Sequence, residues 1–190
     1  MTEKTLKNQI VQLEQEEWQG YELPFHYISE HYYDVSIDHT RDGINVAFVK
    51  QKFPIPYEKM PDEHEKLFQP WWTDIRSWGV IDNGKLIAAI ETSVEEWSNR
   101  LRVTELWVDE NYRHQGIAGA LMDKAIGRAK SEKRRAVILE TQSCNSGAIS
   151  FYLNYGFSLI GFDACAYQNN DIARREVRIE MAMFFENDIT

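Results

Sequence analysis

"LRVTELWVDENYRHQGIAGALMDKAIGRAKSEKRRAVILETQ", residues 101–142, decides the fold. Its opening residues, as far as Val108, read as a strand. From Gly116 the period changes: Ile117, Ala118, Leu121, Met122, Ala125, Ile126 and Ala129 fall on one helical stripe. "AVILETQ" (136–142) has the continuous apolar start of a buried strand. Strand, helix, strand predicts a parallel pair joined by a helical crossover. Between strand and helix lies "YRHQGIAGAL" (112–121), an arginine and a histidine ahead of small residues. The first turn of a helix has N–H groups without internal partners, and the helix dipole puts partial positive charge there. Gly116, Ala118 and Gly119 let an anion approach the backbone, with Arg113 and His114 as added side-chain donors. The plain alternative is a glycine-containing loop before a helix. No G-x-x-x-x-G-K-[ST] run is present, which excludes a nucleoside-triphosphate loop. No complete G-x-G-x-x-G follows a parallel strand, which disfavours a dinucleotide fold.

Upstream, "SWGVIDNGKLIAAIETSVEEW" sets Asn83-Gly84 between two apolar runs, the strongest short hairpin signal. A second reversal near Ser98-Asn99 completes an antiparallel meander with strands near 76–81, 85–97 and 101–108. "GINVAFVKQKF" alternates and reads as a strand. "KMPDEHEKLFQPWW" can carry a short helix after Pro61, halted by Pro70. Downstream, "NSGAISFYLNYG" (145–156) reads as a short helix closed by Gly156. "FSLIGFDACAY" and "EVRIEMAMFF" are two further strands. The first 30 or so residues read as a polar extension with a short amphipathic helix. The expected class is therefore α/β, a mixed and mostly antiparallel sheet in one domain spanning residues 1–190.

A chain of 190 residues, 43% hydrophobic, can bury a sizeable core. It has no apolar run of bilayer length and no secretory leader, so no membrane association is expected. Two cysteines are too few for a disulfide framework, so a reduced, cytoplasmic location is the default. Neither they nor the five histidines have metal-ligand spacing, and no metal is expected. The net charge of −9 lies entirely in the first half: residues 1–96 hold 18 acidic and 9 basic residues, residues 97–190 hold 12 of each. That balance argues against nucleic-acid binding. It fits either plain solubility or a first half that faces a cationic partner.

Arg113-x-x-Gly116-x-Ala118, after a strand ending at Val108 and before an apolar helix, resembles the pyrophosphate-binding signature of GNAT-type N-acetyltransferases. "NSGAISFYLNYGF" resembles the family's N-x-x-A-x-x-x-Y-x-x-x-G-F segment. "LETQ", the Asn145 to Phe157 segment and "GFDACAY" look like the streptothricin acetyltransferase subtype. The resemblance implies two central parallel strands that splay apart to admit acetyl-CoA as cosubstrate. Its pantetheine arm would run along Leu106, Trp107 and Val108, with Asn145 beside it unless Asn145 is only a helix cap. Its diphosphate would sit on Arg113, His114, Gln115, Gly116, Ile117, Ala118 and Gly119. A backbone N–H near Trp107 or Val108, at an implied bulge, would meet the oxyanion. Tyr152 matches the family tyrosine near the cofactor sulfur. Glu105 is the first candidate for the base and Glu91 the second, the alternative for either being a pair with an arginine such as Arg102. The basic run Lys124, Arg128, Lys130, Lys133, Arg134 and Arg135 either meets the 3′-phosphate or serves a helix C-terminus. Cys144 is read as structural.

The implied reaction is acetylation of a primary amine on a small cation, with streptothricin leading and antibiotic resistance as the role. Polyamines, aminoglycosides, and protein lysines or N-termini are the enzyme alternatives. A non-catalytic acyl-CoA-binding regulator is the other class. "MPDEHEKLF" and "ETSVEEW", with Trp71, Trp72, Trp78 and Trp97, could line a cation pocket or be solvated acids and core aromatics. Apolar strand edges could pair two copies into a homodimer.

Overall fold

The computed structural model describes residues 6–61 and 65–185. In chain order the elements are β1 (Ile10–Leu13), α1 (Gln15–Trp18), β2 (Tyr27–His39), β3 (Ile44–Lys59), β4 (Arg76–Asp82), β5 (Lys85–Glu95), β6 (Arg100–Val108), α2 (Ile117–Ser131), β7 (Ala136–Gln142), α3 (Ser146–Tyr155), β8 (Ser158–Asp163), α4 (Asp171–Arg174) and β9 (Arg178–Phe184). The chain divides into two compact units, residues 1–26, 60–139 and 183–190 in the first, and 27–59 and 140–182 in the second. Among the described residues no helix is long and apolar enough to cross a membrane.

In the first unit the strands run in the order β1, β4, β5, β6, β7. Neighbours are antiparallel except β6 and β7, which are parallel as predicted, with Arg100 to Arg102 opposite Ala136 to Ile138. The β4–β5 reversal is the expected Asn83-Gly84 turn, both residues having positive φ (49° and 77°) as a type I′ turn requires. β5 is the central strand and is buried from Leu86 to Val94. Gly79 of β4 is obligatory: a Cβ there would sit 2.6 Å from Leu86 Cδ1 and 2.9 Å from the Ala88 carbonyl. Helix α2 covers β5 and β6, burying Ile117, Leu121, Met122, Ala125 and Ala129 along the predicted stripe. Another cluster of this unit unites Leu13, Leu23, Leu67, Phe68, Leu86, Ala89 and Trp107.

Three expectations change here. Residues 10–13, expected within a polar extension, form β1 and pair with Ser77 to Val80 of β4. Of these four residues only Leu13 is buried, so an edge strand left little pattern to read. Residues 62–64 of the helix expected after Pro61 lie outside the described residues. From Glu65 onward there is no helix but an isolated bridge between Lys66 and Glu22, with Leu67 and Phe68 inserted into the core. Strand β5 ends at Glu95, and Glu96–Ser98 turns as a 3-10 helix into Asn99, whose φ is 49°.

In the second unit β2 and β3 form a long antiparallel ribbon, and β8 and β9 an antiparallel pair. The ribbon ladder is interrupted between Ser29 and His31, opposite the stretch that holds Pro54 and Pro56, which have no N–H to donate. Helix α3 is capped as the sequence predicted. The Asn145 side chain accepts from Ala148 N (3.1 Å) at one end and Gly156 closes the other at φ 104°. Strand β8 stops at Asp163, short of the expected Tyr167. The loop beyond it is tied by the buried Asp171 carboxylate, which accepts from the N–H groups of Tyr167 and Gln168, both at 2.9 Å.

Candidate active site

The loop from β6 to α2 is anchored at several points in the first unit. Asp109 N donates to Ile87 O (2.8 Å), and the Asp109 carboxylate takes Asn111 N (3.1 Å) and Lys85 Nζ (2.9 Å). Tyr112 Oη donates to Asp82 (2.9 Å). Arg113 does not reach into solvent as a free donor. Its Nε bonds Val108 O (3.1 Å) and its Nη2 bonds His26 O (2.5 Å), so the side chain straps the loop. Held this way, the backbone places His114 and Gly116 in the left-handed region, at φ 61° and 78°. Gly116 is the N-cap of α2 and supplies no side-chain cap; the first internal bond is Ala120 N to Gly116 O (3.1 Å). The N–H groups of Ile117 and Ala118 therefore have no acceptor within the helix, and they face the positive end of its dipole. His114 and Gln115 are exposed beside them. A cation missed in the sequence also lies here: Lys7 Cδ is 3.7 Å from where a Gly116 Cβ would stand. Its position over a hundred residues upstream leaves no local signal.

The basic run of α2 has another use. Arg128 lies twelve residues past Gly116, about 18 Å along the helix, and is buried at 4% exposure. It bonds Asp74 (2.7 Å), Glu132 (2.9 Å) and Thr92 Oγ1 (2.9 Å). Arg134 pairs with Glu96 and Glu132, and Arg135 donates to Ser98 O. Lys130 sits over Phe185. Lys124 and Lys133 are exposed.

The two candidate carboxylates stand opposite each other in the ladder, Glu91 on β5 and Glu105 on β6. Thr92 meets Arg128 of α2, so alternation turns Glu91 to the other face of the sheet. Glu91 is fully buried. Arg102, its suggested partner, instead bonds Glu95 at 2.7 Å. The Glu91 carboxylate accepts from Phe68 N (2.7 Å) and Thr104 Oγ1 (3.0 Å). Burial pushes its pKa up to about 7, against the pull of those two hydrogen bonds. Glu105 is half-buried.

The bulge in β6 is not at Trp107 or Val108, where the ladder is regular, with Trp107 opposite Ala89 and Val108 opposite Ala88. It falls at Thr104, the extra residue between Val103 and Glu105. Trp107 is a core residue, its Nε1 donating to Pro24 O (3.2 Å); Leu106 and Val108 are half-buried.

The remaining acids of "ETSVEEW" do not line a cation pocket. Burial raises the Glu95 pKa, but Arg102 and Arg100 overcome it and hold the carboxyl below its usual range. Glu96 pairs with Arg134. The Trp97 and Trp72 rings lie against the guanidiniums of Arg100 and Arg102.

In the second unit Asn145 serves as the cap of α3. Tyr152, on the same helix, is 8% exposed, with Phe151 edge-on at 5.4 Å and Phe157 at 5.9 Å. Cys144 is fully buried among Tyr32, Phe53 and Tyr57, and burial raises its thiol pKa, which fits a structural residue. No group of metal-ligating side chains occurs among the described residues.

Residues 11–157 match the model of the acetyltransferase (GNAT) family. Streptothricin acetyltransferase A of Bacillus subtilis (strain 168) is 33% identical over 81 residues, 40% of this chain and 47% of that protein. An uncharacterised N-acetyltransferase of Methanocaldococcus jannaschii is 46% identical over 55 residues, 29% of this chain and 24% of that protein. The chain thus spans less than half the length of these two curated relatives. Among solved structures, nourseothricin acetyltransferase superposes with a TM-score of 0.73 at 24% identity, covering 92% of this chain and 96% of its own. A putative streptothricin acetyltransferase from Bacillus anthracis str. Ames, in complex with acetyl coenzyme A, gives 0.70 at 24% identity, covering 93% and 98%. These likenesses carry the fold, and with the family match they join the anion-ready start of α2 to a mixed sheet whose parallel pair is β6 and β7: the chain belongs to the acetyltransferase (GNAT) family.

Proposed function

We propose that this protein transfers the acetyl group of acetyl-CoA to a primary amine of a small cationic compound, with streptothricin the leading acceptor and antibiotic resistance the role. The observation that carries this reading is the start of α2. There a strapped loop with two left-handed residues leaves peptide N–H groups and the helix dipole aimed at one point, as a diphosphate requires. The likeness to streptothricin acetyltransferases of Bacillus favours streptothricin among cationic amines.

An amine of lysine-like pKa, about 10.4, is almost wholly protonated near pH 7, so the reaction needs a base. Of the two glutamates, Glu91 is preferred to Glu105 on two grounds, its burial and its raised pKa. Glu91 is buried away from any arginine and titrates near 7, whereas an ordinary carboxyl titrates near 4.5. The difference removes about 3 kcal/mol from an uphill proton transfer. Glu105 stands opposite as a second carboxylate near the amine. Tyr152 is the proposed hydrogen-bond donor to the departing thiolate. A phenol of pKa about 10 facing a thiol of about 8.5 stabilises the thiolate more readily than it surrenders its proton.

The test is thiol release from acetyl-CoA with streptothricin, aminoglycosides, polyamines and lysine peptides offered in turn. Streptothricin is expected to give the highest kcat/KM. Turnover of peptides alone would overturn the acceptor assignment. Coenzyme A binding without thiol release from any amine would make the protein a binding module.

A further inference from the structure

Two irregularities of the first unit meet at one carboxylate. The β6 bulge supplies Thr104 as an extra residue, and its Oγ1 lies 3.0 Å from Glu91. Phe68, buried at 3% exposure, adopts φ 56°, a region an aromatic residue enters only under constraint, and its N–H lies 2.7 Å from the other oxygen. Glu91 itself is a carboxylate at the middle of the central strand, and its two hydrogen bonds come from neutral donors. A buried glutamate needed only for packing would not call for a bulge on one side and a left-handed phenylalanine on the other.

We propose that Thr104 is a positioning residue that fixes the Glu91 carboxylate for proton abstraction from the acceptor amine. The inference rests on the acetyl-transfer reading above and deepens it. Each carboxylate oxygen has two lone pairs, and one protein donor on each leaves capacity to take up a proton. Because Glu91 is fully buried, that proton arrives from the amine by relay rather than by direct contact. In the step itself an N–H bond of the ammonium breaks and its proton ends as an O–H bond on Glu91. The freed nitrogen lone pair attacks the thioester carbonyl carbon, the C–S bond breaks as the tetrahedral adduct collapses, and the thiolate that leaves takes up the second proton shed by the nitrogen. Around Glu91, the titratable residue across the ladder is Glu105 on β6, the ladder position on β4 is Ser77, and the covering loop brings Leu67 and Phe68. The Thr104 hydroxyl favours the ionised form, so its loss must raise the pH at which the base becomes active.

The experiment is the pH profile of kcat/KM for the amine in wild type, Thr104→Val, Thr104→Ser and Glu91→Gln, with coenzyme A binding followed by calorimetry throughout. Thr104→Val is expected to move the acid limb up by about one pH unit and to lower kcat/KM at pH 7 about fivefold. Thr104→Ser should restore both. If Val does not fold, Thr104→Ala removes the same donor. An acid limb that stays in place in Val or Ala overturns the proposal even if the rate falls. An unchanged profile in Glu91→Gln removes the base on which it depends. Absence of coenzyme A heat in the wild type instead strikes at the acetyl-transfer reading.

Discussion

The two ends of α2 handle charge in opposite ways. At the N-terminal end there is no side-chain cap, and the polarity comes from peptide groups ordered by His114 and Gly116 in left-handed conformations. At the C-terminal end the charge is carried by side chains, two of which are ion-paired: Arg128 with Asp74 and Glu132, Arg134 with Glu96 and Glu132. Burial pushes the Glu132 carboxyl up, and Arg128 and Arg134 overcome it, leaving it below its ordinary value. Two of the cations at that end, Arg128 and Arg134, are thus already committed to carboxylates of the chain. Counting lysines and arginines along "KAIGRAKSEKRR" does not show which of them the chain's own carboxylates already hold.

Three substitutions sharpen or break that contrast. Arg128→Met strips a buried charge from its partners and is expected to cost about 3 kcal/mol of stability, seen as a fall of roughly 6–12 °C in Tm. Coenzyme A affinity at a temperature where the variant is folded should stay the same; a loss of affinity with Tm intact would invert the comparison. Gly116→Asp forces a side chain into φ 78° and sets a negative charge beside the N–H groups. The charge is expected to cost about 1–2 kcal/mol of binding, a 5- to 30-fold rise in Kd by calorimetry, and the backbone strain a fall of a few degrees in Tm. Lys7→Ala removes an exposed cation near Gly116. It should raise Kd no more than about fivefold and make binding less sensitive to salt.

Much of the fold was legible because its signals are local. Asn83-Gly84 dictates its turn, the 3.6-residue stripe from Ile117 dictates α2, and Asn145 and Gly156 bracket α3. The Gly116 loop was legible for the same reason. What escaped depends on the partner rather than on the element. β1 buries one side chain and β2 only three, so neither declares itself by alternation, whereas β3 did over "GINVAFVKQKF". The bulge position follows from the hydrogen-bond register between β5 and β6, which alternation does not fix. Glu91 and Glu95 look alike in sequence. They differ because Arg100 and Arg102 lie within reach of one and not the other. Glu95, Glu96, Trp72 and Trp97 suggested part of a cation pocket, and the cations they meet are the chain's own arginines.

The proposed anchor of peptide N–H groups has a consequence for how such a chain can change. His114 and Gln115 can be exchanged for many side chains without deleting a single donor, provided the backbone keeps its path. Only an imino acid at one of the first helical positions would erase one. Evolution is therefore free to redress this loop, and a competitor aimed at the same amides would leave point mutation few routes of escape.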